Sequence, residues 1–232
     1  MLHDDLPPFP GFRAEGLNFL RDLKRHNERD WFKPRKQTYD DELLWPLRCL
    51  VADFARQAAY AGLPLTGDPK RSLFRIYRDT RFSKNKRPYK THVSAVLSRS
   101  GGRKDPGAIY VHIEPGASFI AGGYWKPETD LMRRWRTRMT ADPASFIEIT
   151  ERLDAAGAPV AIRESYKRMP RGCEAFADSD LEPWLRAKAL VARRDVSDAD
   201  VMRPVFTEVL VEMAKTMLPL LAFGWDAMEP VG

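Results

Sequence analysis

The period of the apolar residues changes twice along this chain, and that change restricts its architecture more than any other property of the sequence. From Gly16 to about Ala61 large apolar residues recur at three and four: Leu17, Leu20 and Leu23, then Leu43, Leu47, Leu50, Val51, Phe54 and Ala58. That is the spacing of helices with one buried stripe. Asn27 reads as a left-handed helix stop, Asp30 as the cap of the next helix, Pro34 as an early helical residue, and Pro46 as a kink.

Beyond Gly62 the pattern shortens. Segments 72–77, 92–98, 109–114 and 118–125 are rich in β-branched and aromatic residues, with turns marked by Gly101-Gly102, Pro106-Gly107 and Pro115-Gly116. Helical spacing returns after Pro127 with Leu131, Met132, Trp135 and Met139, and after Asp142-Pro143 with Phe146, Ile149 and Leu153. Residues 158–196 carry the weakest pattern, a basic turn over 166–172 and a short helix over 181–188. Ser197 to Asp200 reads as a capping box opening the last long helix, with Val205, Val209, Met213 and Met217 on its face and a kink at Pro204.

Consecutive strands flanked by helices predict an α+β fold, in which a four-stranded or larger antiparallel sheet packs against several helices. A single domain is expected over 12–226, after a flexible Pro-rich arm (1–11) and before a frayed end (227–232). A composition that is 44% hydrophobic and 30% charged excludes a disordered or fibrous chain. No apolar run reaches the length of a membrane span, and the start lacks a basic region followed by an apolar stretch, so a cytoplasmic protein with no membrane partner is expected. Cys49 and Cys173 form no CxxC or Cys/His pattern, which fits a reducing compartment. Cys49 reads as packing, and Cys173 follows a basic turn able to lower a thiol pKa.

The charge is concentrated. Between Arg75 and His92, RIYRDTRFSKNKRPYKTH, seven Lys/Arg stand against one Asp, a net +6. The whole chain has 38 − 32 = +6, so the remainder is neutral. An imbalance confined to eighteen residues is a local field that suits an anionic partner. The cations alternate with Tyr77, Phe82, Pro88 and Tyr89. Arginine offers paired donors to phosphate, lysine a point charge, and an aromatic ring a stacking surface.

Strand alternation picks out a second constellation. With Phe74 and Ile76 facing the core, Arg75 and Tyr77 point the other way; Val93, Ala95 and Leu97 oppose His92 and Ser94, and Ile109, Val111 and Ile113 oppose Tyr110, His112 and Glu114. The three segments agree on one apolar face and one polar-aromatic face. The bland alternative is a half-exposed sheet whose outer residues merely tolerate water. His112 and Glu114, with His92 in reach, compose a two-His, one-carboxylate set, but no helix-borne HExxH accompanies it and no metal ligand is assigned. His26 reads as a helix-end residue and His3 as part of the arm. There is no GxSxG, GxxxxGK[ST] or GxGxxG, so the motifs name no cofactor. Gly122-Gly123 reads as a bulge or close-packing pair.

Four motifs taken together carry a family resemblance: Asn27-Glu-Arg-Asp-Trp31-Phe32, the Phe74–His92 segment, Gly122-Gly-Tyr-Trp-Lys-Pro127 and Lys167-Arg-Met-Pro-Arg-Gly172. In this order the chain resembles the DUF2461 family from about Phe12 to about Phe223. It departs from the family's pattern at His26, where a second Asn is usual, and at Cys173, where an aromatic residue is common. The resemblance implies a bacterial or fungal cytoplasmic domain and brings no catalytic residue with it.

The residues support three functional readings. The first is a binding domain for a phosphorylated or otherwise anionic ligand, nucleotide or nucleic acid. Its contacts are Arg75, Arg78, Arg81, Lys84, Lys86, Arg87 and Lys90, with Tyr77, Tyr110, Arg168 and Arg171 beside them. The second is an enzyme on a small anionic substrate, with an arginine clamp and His92 or His112 as general acid or base. In the third, Arg78, Asp79 and Arg81 are buried ion-pair partners that staple the loop to the helices, and the charge serves no ligand.

Overall fold

The computed structural model describes residues 6–228 of the chain. They divide into two compact units, one of residues up to 105 with 110–120 and 195–212, the other of 106–109, 121–194 and residues from 213 on. In the first unit α1 (Ala14–Arg25) buries Leu17, Phe19, Leu20 and Leu23 on one stripe. The helix expected from Asp30 to Ala61 is instead a series. α2 (Arg29–Phe32), a 3-10 turn (Lys33–Arg35), α3 (Lys36–Tyr39) and a π turn (Asp40–Leu44) precede α4 (Trp45–Tyr60). Pro34 and Pro46 lack an N–H, so each is accommodated where a new helical piece begins.

The sheet has four strands, β1 (Val93–Leu97), β2 (Ala108–Ile113), β3 (Phe119–Tyr124) and β4 (Leu190–Asp195). They are antiparallel in the order β1-β2-β3-β4, so the α+β architecture is the one the sequence predicts. The identity of one strand differs. Segment 72–77 makes only isolated antiparallel bridges, Leu73 with Ala95 and Tyr77 with Tyr89, while β4 comes from the stretch with the weakest sequence pattern.

α4 packs against β1 within the first unit. The second unit holds α5 (Thr129–Ala141), α6 (Pro143–Ala155), α7 (Glu182–Arg186) and, after α8 (Asp198–Val201) in the first unit, most of α9 (Phe206–Asp226). The Asp142 carboxylate accepts from the Ser145 N–H and so caps α6 as expected. The capping box at Ser197 is present, but the helix it opens closes at Val201, and α9 starts only after Pro204. Tyr124 is a centre of the second unit, with its hydroxyl donating to the Leu221 carbonyl at 2.6 Å and its ring edge-on to Trp135 at 4.8 Å. Gly123, at φ 141°, lies against the Leu190 carbonyl, which a Cβ there would meet at 2.1 Å. Gly123 therefore serves the approach of β4 to β3, whereas a Cβ at Gly122 would meet the Ile109 and Met217 side chains.

Residues 1–5, His3 among them, and 229–232 lie outside the described residues, and with them part of the expected arm and end. From Leu6 the chain is held. Arg56 donates to the Leu6 carbonyl, the Phe9 N–H donates to Asp53, and the Phe9 ring is buried. Among the described residues no helix is long and apolar enough to cross a membrane.

Candidate functional site: a basic hairpin and a histidine pocket

The basic segment is a hairpin with a clamped root. The Arg78 N–H donates to Pro88 and the Lys90 N–H to Ile76, on either side of the Tyr77–Tyr89 bridge. Asn27 seals this root. Its amide nitrogen donates to the Tyr89 carbonyl at 3.0 Å, and its amide oxygen accepts from the Tyr89 N–H at 2.9 Å. Asn27 is buried, and so is Tyr89, whose ring stacks on Phe32 at 4.2 Å. Asn27 is thus not a left-handed helix stop but a side chain that pairs with a strand as a neighbouring backbone would. The first two sequence motifs meet in this contact.

Charge on the hairpin is mostly unopposed. Asp79, its one acid, is already engaged by Arg81 at 2.8 Å, and both are exposed. That pair holds the Asp79 carboxyl down at about 2. It lies within the loop, so the expectation of buried ion pairs stapling the loop to the helices is overturned: loop cations this exposed are solvated by water and do not need a buried partner. Lys86 donates to the Thr80 carbonyl. Among the described residues the side chains of Arg75, Arg78, Lys84 and Arg87 have no hydrogen-bond or ion-pair partner. Phe82 stands at the tip with 95% of its surface exposed, and the Arg81 guanidinium lies 5.8 Å from its ring.

At the root the cations crowd. Lys90 Nζ sits 5.1 Å and the Arg103 guanidinium 5.5 Å from the Phe74 ring centre. Lys90 donates to the Arg75 carbonyl and Arg103 to the Leu73 carbonyl. Neither has a carboxylate partner among the described residues. Burial, then the charges of Arg75 and Arg103, lowers the Lys90 pKa. Arg103 was not among the expected contacts.

Phe74 joins this cluster to the sheet. Its ring stands edge-on to Tyr110 at 6.0 Å, so Phe74 covers the polar face, whereas Arg75 is exposed and Tyr77 packs near Phe32 and Tyr89. Ile76 is buried as expected, but Phe74 and Tyr77 depart from the expected facing, because a segment held only by single bridges does not keep strand alternation.

The rest of the polar face is as alternation predicts. His112 is the centre of a line along β2. The Tyr110 hydroxyl is 3.1 Å from His112 Nδ1, and His112 Nε2 is 3.2 Å from Glu114 Oε2. An ionised carboxylate only accepts, so Nε2 carries the ring hydrogen and Nδ1 accepts from Tyr110. His112 is buried between two rings, Phe119 stacked at 4.6 Å and His92 at 4.1 Å. Glu114 Oε1 takes the Thr91 hydroxyl at 3.0 Å and Lys24 Nζ at 3.5 Å. Burial works to raise the Glu114 carboxyl, but these hydrogen bonds and Lys24 overcome it and leave the pKa lowered. Burial, with His112 beside it, pushes His92 down to about 4. Burial raises the Tyr110 phenol against an opposing hydrogen bond from Ser94. His92, Ser94, Tyr110, His112 and Glu114 therefore come together, while Phe119, Thr91 and Lys24 join them unannounced by the sequence pattern.

Arg168 and Arg171 are exposed residues of the second unit, on the turn before Cys173. Burial raises the Cys173 thiol and pushes Cys49 up to about 11, so the basic turn does not activate Cys173.

The family described as Conserved hypothetical protein (DUF2461) matches residues 15–223, nearly the whole chain. No curated protein and no solved structure matches.

Proposed function

We propose that this chain, which belongs to the DUF2461 family, binds a phosphate-bearing anionic ligand, a nucleotide or nucleic acid, at its hairpin. The observation that carries the reading is the root cluster, where Lys90 and Arg103 share the Phe74 ring beside Arg75; neither Lys90 nor Arg103 has a carboxylate partner among the described residues, and the one acid near Arg75, Asp79, is already engaged by Arg81. Like charges held together with partial burial destabilise the free protein, and an anion relieves that cost. Arg78, Lys84 and Arg87 extend the same field, and exposed Phe82 offers a face on which a base stacks. Buried free cysteines agree with a reducing, cytoplasmic setting.

The test is a thermal-shift and anisotropy series with pyrophosphate, nucleotides and oligonucleotides in EDTA. With these six cations on a single strand, log K falls with log salt at a slope of about −4. A small ligand at the root gives a slope much nearer zero. No shift with any of them, or binding that survives Arg75→Ala with Arg103→Ala, overturns the reading.

The Tyr110–His112–Glu114 line favours a second reading, an enzyme on a small anionic substrate with His112 or neutral His92 exchanging the proton. It requires that His112→Gln abolish turnover of the bound ligand while its affinity stays nearly intact.

A further inference from the structure

We propose that His92, His112 and Glu114 form a binding site for a first-row transition cation of the zinc class. The three residues offer one donor atom each, and all three atoms lie within 4.8 Å of one another. Bonds of about 2.0–2.1 Å put neighbouring ligands of a tetrahedral ion about 3.3 Å apart, so closing the widest separation needs a side-chain movement of roughly 1.5 Å. The His112 Nε2 to Glu114 Oε2 separation of 3.2 Å already matches the roughly 3.3 Å between neighbouring ligands of a tetrahedral ion. Two imidazoles with one carboxylate suit zinc, cobalt, iron or nickel, and not calcium or magnesium, which take oxygen donors.

Three further observations separate this cluster from an ordinary hydrogen-bonded pocket. His92 packs against His112 with the two rings tilted by 35°, yet neither of its ring nitrogens has a hydrogen-bond partner among the described residues. Its imidazole has no other work in the pocket. Glu114 is divided, with Oε1 held by Thr91 and Lys24 and Oε2 turned to the histidine. Tyr110 supplies the outer partner that metal-bound imidazoles regularly have. On metal binding the His112 hydrogen moves from Nε2 to Nδ1, and Tyr110 turns from donor to acceptor. No net proton is released from that ring. Phe119 stacked at 15° fixes the ring plane in either state. Three protein donors leave a tetrahedral ion one position for water or a ligand atom.

The experiment is a titration of the EDTA-treated, dialysed full chain with Co2+ followed by visible absorption, and with Zn2+ by calorimetry. One equivalent is expected, with ligand-field bands that His92→Ala and Glu114→Gln abolish and with affinity reduced at least a hundredfold. Tyr110→Phe keeps the bands and weakens binding about tenfold. His26→Ala, on a histidine that stacks on Trp31 elsewhere in the unit, changes nothing. His92→Ala removes a ring with no hydrogen bond among the described residues, so its fold is expected to survive, as circular dichroism checks. Absence of Co2+ bands and Zn2+ heat in the unsubstituted chain, or equal affinity in His92→Ala, overturns the site. Because anion binding is measured in EDTA, either proposal fails without the other.

Discussion

The hairpin and the histidine pocket are joined through Phe74 and Lys90, yet they treat polar groups in opposite ways. On the hairpin, Arg75, Arg78, Lys84 and Arg87 stand without side-chain partners among the described residues because water solvates them. In the pocket, Tyr110, His112, Glu114 and Thr91 are tied into one hydrogen-bonded line, since a buried polar group left unpaired costs roughly 1–3 kcal/mol. Changes in the pocket and at the packed root residues Asn27, Phe32 and Tyr89 should therefore read out as stability, and changes at the root and hairpin cations as affinity.

The comparison breaks first at the root. Phe32→Ala removes the ring beneath Tyr89 and is expected to cost about 3–5 kcal/mol in denaturant unfolding. A cost under about 1 kcal/mol would mean that the root is not part of the packed core. Next in size is a pH effect in metal-free protein. His92 takes its proton at about 4 when folded but near 6.5 when unfolded, so the unfolded chain binds more protons between those values. Stability is full above 6.5 and falls as pH drops toward 4, by at most about 3 kcal/mol. The groups facing His92 are His112, Glu114 and Lys90, with Lys24 behind Glu114, and against burial the hydrogen bonds from His112 and Thr91 hold the Glu114 carboxyl below its ordinary value. His92→Gln should flatten the curve between pH 6.5 and 4; an equal slope in that variant would assign the effect elsewhere.

Asn27→Ala strands the Tyr89 N–H and carbonyl and is expected to cost about 2 kcal/mol, with faster amide exchange at Tyr89 and Arg78. Arg75→Ala with Arg103→Ala should leave the melting temperature equal or higher while anion affinity falls at least tenfold, which is the sharpest form of the comparison. Asp79→Asn should leave melting unchanged, since the Asp79–Arg81 pair is exposed. A drop of several degrees would restore the stapling role.

Period-two alternation was enough to place His92, Ser94, Tyr110, His112 and Glu114 on one face, because β1 and β2 are continuous strands. It failed for Phe74 and Tyr77, though not for Ile76, since two single bridges leave the backbone free to turn between them. β4 was illegible because Leu190-Val-Ala-Arg-Arg-Asp alternates only in its first half and then becomes charged and exposed. Local charge counting found the hairpin but missed Arg103, which the chain returns to Phe74 from beyond β1. Asn27 was misread for a related reason. Its partner is 62 residues away, and no local pattern records a side chain acting as a strand.

That substitution of amide for backbone also makes the hairpin separable from its own tip. Since Asn27 and Phe32 grip Tyr89 from outside, the register of the two limbs is set at the root and not by the turn at Thr80–Lys86. The tip can therefore change length and composition like an interchangeable tool head. Residues at the tip can then be exchanged without disturbing the fold that presents them.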